Sequence, residues 1–268
     1  MKHALVILSG GQDSVTCLFW AISQGYTCSA LTFDYGQLHS IEIESAKKAA
    51  ELAKIDKHEI LSIGPLFSGK SPLTNKDIKL DQFSSLEDFT SGIQNTFVPG
   101  RNLLFLSLAA NKAYSMDIDT MITGICQEDF GGYPDCRIDF VKSLEETISL
   151  AMERKIKILT PLMDLKKSDI VLMAKGLPKK CWEALSFSHT SYDGKYPPTS
   201  NDHANLLRAR GFEEAGYPDP LVERAVRENL MELPKTKNYE IKVTTLSVSD
   251  RIGNILEMPY IKVYEVAT

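Results

Sequence analysis

Residues 4–8 (ALVIL) form a continuous apolar run that stops at Ser9-Gly10-Gly11, after which Val15, Cys17, Leu18, Ala21 and Ile22 recur at roughly helical spacing. This is the strongest constraint on the fold: a buried strand, a tight turn and a helix. The alternation continues along the chain. Residues 28–33 read as a second strand, and 41–53 (IEIESAKKAAELA) form an amphipathic helix by composition and period. A short strand is expected at 60–63, an apolar helix buried on most sides at 103–114, a strand at 120–125, a helix at 141–152 and a strand at 156–159. A helix begins at 167–174, with Ser168 or Asp169 in its first turn. The order predicts an α/β fold, a parallel sheet with helices on both faces.

Between these elements, residues 64–92 are polar, weakly periodic and read as a long, mobile surface excursion. From Gly176 the composition shifts to Pro, Ser, Asp and His, followed by a basic stretch, Arg208-Ala209-Arg210-Gly211-Phe212. Residues 239–243 and 260–264 have β character. The expected organisation is an α/β domain over 1–175, a small helical C-terminal subdomain over 176–220 and an extension with a β-like tail over 221–268.

Composition narrows the function classes. With 30 Lys+Arg against 35 Asp+Glu among 268 residues, the net charge is −5, so no global basic field exists to hold a nucleic-acid backbone. The five cysteines show no CxxC spacing, which reads as reduced thiols in a cytoplasmic protein. The apolar run at the start is too short for a signal peptide or a membrane span.

The chemistry is expected at Leu8-Ser9-Gly10-Gly11-Gln12-Asp13-Ser14. Glycines there open torsions closed to other residues, and the turn offers N–H groups at a helix N-terminus, where a phosphate is favoured. The bland reading of SGG alone is a strand-to-helix turn capped by Asp13 or Ser14. A second stretch, Gly64-Pro65-Leu66-Phe67-Ser68-Gly69-Lys70-Ser71, satisfies the Walker A pattern, but Pro72 follows where a helix should open, so it reads as coincidence.

SGGQDS at the end of a first strand resembles the PP-loop of ATP pyrophosphatases, which cleave ATP between the α and β phosphates. Three further segments lie near predicted strand ends: Phe33-Asp34-Tyr35-Gly36-Gln37-Leu38-His39, residues 95–102 (NTFVPGRN) and residues 129–137 (DFGGYPDCR). With Thr160-Pro161-Leu162-Met163 and Lys167, the set is similar to the 7-cyano-7-deazaguanine synthase (QueC) family over residues 1–220. The resemblance implies a two-stage ligase using ATP and Mg²⁺. A 7-deazapurine carboxylate is adenylated and attacked by ammonia, and a second adenylation of the amide leaves a nitrile. It also implies a homodimer.

Carried onto this chain, the resemblance makes residues 8–14 the ATP-binding loop, with Asp13, Arg101, Asp129 and Lys167 as catalytic residues. Asp13 helps organise Mg²⁺, while Lys167 and Arg101 neutralise charge on phosphate oxygens. Substrate-binding positions are Tyr35, Gln37, His39, Arg101, Tyr133, Asp135 and Arg137, with Gln37 and His39 as substrate or proton-handling groups. Each residue singly also has a bland reading: Asp135 and Arg137 as a structural pair, His39 as a loop histidine, Lys167 as a solvated helix residue.

The chain departs from the family where four zinc cysteines are usual, carrying Ser191, Thr199, Asp202 and Asn205 in an otherwise preserved frame. Neutral oxygen and amide groups are poor zinc donors, so structural zinc is expected to be absent, with hydrogen bonds among these side chains in its place. His189, Asp202 and His203 form a weaker candidate site. Gln127 stands where an acidic residue is usual, and Gly131 where a serine is. Two other readings stay open: the same adenylation chemistry directed at another acceptor, such as a protein amine, or a nucleotide-binding scaffold without turnover. Thiolation of tRNA is disfavoured by the absence of CxxC and of positive charge.

Overall fold

A strand that is apolar at successive positions must be covered on both faces, and the first strand is. The computed structural model describes residues 2–37, 41–64, 66–67, 71–75, 77–86, 94–127 and 133–235. Strand β1 (Lys2–Ile7) is followed by α1 (Gln12–Ser23), β2 (Tyr26–Asp34), α2 (Ile41–Ala53) and β3 (Lys57–Ser62). Then come α3 (Arg101–Ser115), β4 (Thr120–Ile122), a 3₁₀ turn at Pro134–Cys136, α4 (Ile138–Ala151), β5 (Lys157–Leu159) and α5 (Lys167–Gly176). The described chain ends with α6 (Lys179–Leu185), α7 (His203–Glu214) and α8 (Pro220–Arg227).

The sheet is parallel throughout, in the order β3-β2-β1-β4-β5, with Leu5 opposite Ser29 on one side and Met121 on the other. Ala4, Val6 and Leu8 pack with α1, α2, α5 and α6, while Leu5, Leu31 and Met121 pack with α3 and α4. Helices therefore cover both faces, as the alternation requires. The chain runs outward from β1 to β3 and then returns to place β4 on the other flank of β1. Loops after β1 and β4 consequently diverge, which opens a crevice at the strand C-termini.

Three expectations change. The strand expected at 120–125 ends at Ile122: Thr123 still donates its N–H to Leu159 O at 3.0 Å, and the chain then leaves the ladder. Helix α3 buries one face only, through Leu106, Ala109, Ala110 and Ala113, and leaves Leu103 and Tyr114 exposed, because it lies on the outside of the sheet. The 64–92 segment is not wholly a surface excursion, since Ser71 and Leu73 are buried. Residues Ser71 to Asn75 there form a turn rather than a helix, with Ser71 O accepting from Thr74 N and Asn75 N, so the Walker A match lacks its helix.

The segment after Gly176 joins the main core. Cys181, Ala184 and Leu185 of α6 pack in the same cluster as β1, and α7 lies against α5. Of the basic stretch, Arg210 stays exposed while Arg208 turns inward: it is 2% exposed and grips Asp219 with two nitrogens at 2.6 and 2.8 Å, while a third donates to Ser188 Oγ and Thr190 Oγ1. All five cysteines are buried and none forms a disulfide. No described helix is long and apolar enough to cross a membrane. The β-like tail falls outside the described residues.

Candidate active site

The turn between β1 and α1 is shaped by Gly10 and Ser14. Gly10 has φ +91, and a Cβ there would stand 2.1 Å from Glu42 O, so only glycine lets the loop pass this close to α2. Ser14 Oγ accepts from Gly10 N at 3.2 Å and from Ser9 Oγ at 3.0 Å, tying the loop together. Gly11 is the N-cap and supplies no side-chain acceptor to the first-turn N–H groups of α1. The positive end of the helix dipole is thus left for an anion. Beside it, Gln12 Nε2 is buried with no hydrogen-bond partner.

Lys167 reaches this loop from the first turn of α5 and donates to Asp13 Oδ2 at 2.6 Å. The two side chains are 9% and 17% exposed, so the pair is shielded from solvent. Its position depends on α7: a Cβ on Gly211 would lie 2.7 Å from Lys167 Cβ.

The other end of the crevice is aromatic around one guanidinium. Arg101 opens α3, and Tyr35, Tyr192, Tyr133 and Asp135 surround it. Burial opposes its charge, but these oxygens outweigh that and hold it more firmly protonated than usual. Asp135 Oδ2 accepts from Asn102 N at 3.1 Å, so its carboxylate satisfies the N-terminus of the helix that carries Arg101. Tyr133 Oη bonds Thr96 Oγ1, and its ring stacks on Phe97 with centroids 5.5 Å apart. Phe33 and Phe105 stack at 4.3 Å behind Tyr35. Burial raises both Tyr35 and Tyr133, so the phenols stay neutral.

Both ends open into one cavity of about 300 Å³, a size at the lower end for small-molecule sites. Leu8, Ser9, Gly11, Gln12, Asp13, Ser14, Tyr35, Gln37, Arg101, Tyr133 and Lys167 all line it. Gly10 backs onto α2 instead. Asp135 and Arg137 are not in the wall: the first caps α3, and the second is exposed at the N-cap of α4. His39, Asp129 and Gly131 lie outside the described residues. Gln127 accepts weakly from Ile138 N at the start of α4 and donates to Asp164 Oδ1 at 3.3 Å.

Four further residues line the cavity; Glu42 and Tyr192 carried no signal in the sequence, while His189 and His203 were singled out only as weak metal ligands. Glu42 faces Arg101 and Tyr35, and burial raises its carboxyl to about 7. His203 is lowered by burial to about 4. His189 is 2% exposed and lowered by burial and by Arg208; the Ser191 main chain is near its ring, but neither ring nitrogen meets hydrogen-bond geometry. Tyr192 joins Tyr133 and Arg101 at the aromatic end.

Tyr192 is delivered by the segment in the zinc-site frame. Asp202 Oδ2 accepts from Ser191 Oγ at 2.7 Å, from Tyr192 N at 3.0 Å and from Ser200 Oγ, and Asp202 Oδ1 accepts from Asn205 N at 3.0 Å. Asp193 Oδ2 accepts from Thr199 N at 2.7 Å, Thr199 Oγ1 at 3.0 Å and Ser200 N at 2.9 Å. The four positions where cysteines are usual are thus brought together and joined by hydrogen bonds. This donor set does not fit structural zinc: three of the four are neutral, and the lone pairs of Asp202 are already engaged. His189, Asp202 and His203 do not form a metal-holding group among the described residues.

Known proteins resemble this chain over most of its length. The family model for queuosine biosynthesis protein QueC matches residues 3–216. A 7-cyano-7-deazaguanine synthase of Laribacter hongkongensis is 45% identical over 83% of this chain and 95% of its own length. Those of Chromobacterium violaceum and Gloeobacter violaceus are 44% and 43% identical, over 85% and 82% of this chain and 96% of each relative. A solved 4-thiouridine synthetase–RNA complex with bound ATP aligns at TM-score 0.44 and 16% identity, over 85% of this chain and 53% of that one. Matched by the family model over residues 3–216 and 43–45% identical to relatives that it covers almost whole, the chain belongs to the 7-cyano-7-deazaguanine synthase (QueC) family.

Proposed function

We propose that this chain converts 7-carboxy-7-deazaguanine and ammonium to 7-cyano-7-deazaguanine, consuming ATP through adenylated intermediates. The observation that carries the reading is the placement of the Asp13–Lys167 pair and Arg101 on one cavity, a polyphosphate end facing a carboxylate end. Family membership supports ATP use and a small-molecule substrate. A cytoplasmic homodimer is part of the same reading and rests on family resemblance.

The residues suit the nucleotide. The α1 N-terminus, the unpartnered Gln12 amide and Lys167 are donors to phosphate oxygens, and Asp13 is the carboxylate available to Mg²⁺, which commonly takes one or two carboxylates and completes its shell with phosphate and water. Mg²⁺ would neutralise charge on the leaving pyrophosphate. Arg101 holds the substrate carboxylate by charge-assisted hydrogen bonds and aims one oxygen at the α-phosphorus. As that oxygen attacks, negative charge moves onto the pyrophosphate, where Lys167 and the helix N-terminus are already oriented. A single preorganised donor of this kind is worth about 10²–10³ in rate. Tyr35, Tyr133 and Phe105 supply flat apolar surface and hydroxyls for a deazapurine ring. Asp135 acts at one remove, by fixing the helix end that presents Arg101.

Mass-spectrometric analysis after mixing the protein with Mg-ATP, ammonium and 7-carboxy-7-deazaguanine tests the proposal. Nitrile is expected from the wild type, with loss of at least 100-fold in Asp13→Ala. Adenylate or AMP without nitrile, even with ammonium in excess, would redirect the search to another amine acceptor and overturn the assignment.

A further inference from the structure

Ammonium is the form that dominates in neutral water, and it cannot attack a carbonyl until it loses a proton. Resting on the reaction proposed above, a group is needed on the cavity that attracts a small cation and then takes a proton. Asp13 and Glu42 are the two carboxylates among the described lining residues. Asp13 is engaged by Lys167 at 2.6 Å. The Glu42 side chain makes no hydrogen bond and no ion pair; its main-chain O packs against Gly10 of the loop, and its carboxyl is on the cavity within the field of Arg101.

We propose that Glu42 is the proton acceptor for the nitrogen nucleophile, drawing ammonium to the mixed anhydride and releasing it as ammonia. Ammonium gives one proton to the Glu42 carboxylate. The nitrogen lone pair forms the C–N bond to the acyl carbon, and the C–O bond to AMP breaks with its electron pair leaving on the phosphate. Glu42 returns its proton to solvent and takes the second from the nitrogen, leaving the neutral amide.

The surroundings suit the role. Among the described residues, the titratable and charged groups that face Glu42 are Arg101 on α3 and Tyr35 just after β2. Burial raises the carboxyl from 4.5 to about 7, with Arg101 acting in the opposite sense, so it exchanges protons near neutrality. The other described candidates are less suited: burial holds His203 at about 4, His189 is likewise lowered, and Tyr35 is raised.

The test is Glu42→Gln, read by three assays on the full chain. Ammonium-dependent nitrile formation should fall at least 100-fold and lose its acidic limb near pH 7, the scale of a general base. Pyrophosphate exchange into ATP with 7-carboxy-7-deazaguanine and no ammonium should stay within about threefold, which also reports that the variant folds. Hydroxylamine, a nucleophile largely unprotonated at neutral pH, should restore acyl transfer to within about tenfold of wild type. Equal losses of exchange and ammonium turnover would overturn the proposal in favour of a structural role. So would ammonium turnover with an unmoved pH profile. Absence of exchange in the wild type would instead remove the proposed reaction itself, and this inference with it.

Discussion

Lys167 and Arg101 carry like charge at opposite ends of one cavity, and their surroundings assign them different work. Lys167 is held by Asp13 at 2.6 Å, which on the proposed mechanism fixes its charge beside the leaving pyrophosphate. Lys167→Met is therefore expected to lower kcat about 10²–10³-fold with little change in KM for the carboxylate. Arg101 is ringed by phenols and poised for a ground-state anion; Arg101→Lys, losing the planar fork, should raise that KM at least tenfold. Steady-state kinetics check both, and a reversed pattern would exchange the roles. His203 gives a pH signature. Burial lowers its folded-state pKa from 6.5 to about 4, so its neutral form stabilises the fold above pH 6.5. That contribution is lost as pH falls from 6.5 toward 4, and thermal melts across this range should show a smaller loss in His203→Gln than in wild type. At this scale the loop was legible because SGGQDS follows a buried strand, and Gly10 at φ +91 is the position that requires glycine. Glu42 was not: in the sequence it is one more polar residue on an amphipathic helix, and its meaning comes from Gly10 and Arg101, brought to it by other elements.

Among the elements, the segment from Ser191 to Asn205 departs furthest from the family pattern and still performs its positioning task. Asp202 gathers four donors and thereby fixes Tyr192 beside Arg101 and the N-terminus of α7, whose Gly211 packs on Lys167. Hydrogen bonds to a buried carboxylate are worth about 1.5–3 kcal/mol each, so Asp202→Ala should destabilise by about 3 kcal/mol or more in denaturant titration. Purified protein is expected to carry zinc far below one per chain, and EDTA to leave Tm unchanged. Stoichiometric zinc in metal analysis, with Tm lowered by EDTA, would contradict this. Hydrogen bonding among the side chains at the four positions was readable from the loss of the cysteines. The central part of Asp193 was not, because its register to Thr199 and Ser200 is set by the turn. Helix α2 matched its expected bounds at both ends because its period is regular. Strand β4 came out shorter than its apolar run, since Gly124 bends toward α1, where a Cβ would stand 3.0 Å from Ser14 N.

For the whole molecule, strand–helix alternation is enough to read a parallel sheet covered on both faces. The strand order and the crevice it creates are long-range facts that periodicity does not carry. The same holds for Leu73, Tyr192 and Arg208, all of which line the cavity from segments that look like surface in the sequence. Arg208 and Asp219 tie the C-terminal helices to the end of α6. Breaking such a buried pair from one side is expected to cost about 3–5 kcal/mol, so Arg208→Met should lower Tm markedly.

The central claim is that this crevice splits ATP at the α-phosphorus twice, to activate first the substrate carboxylate and then the amide formed from it. The most direct measurement is the ratio of nucleotide products to nitrile in a quenched reaction with Mg-ATP, ammonium and 7-carboxy-7-deazaguanine. The account predicts about two AMP and two pyrophosphate for each nitrile, with no ADP. ADP and phosphate in proportion to nitrile, or nitrile formed without consumption of ATP, would contradict it.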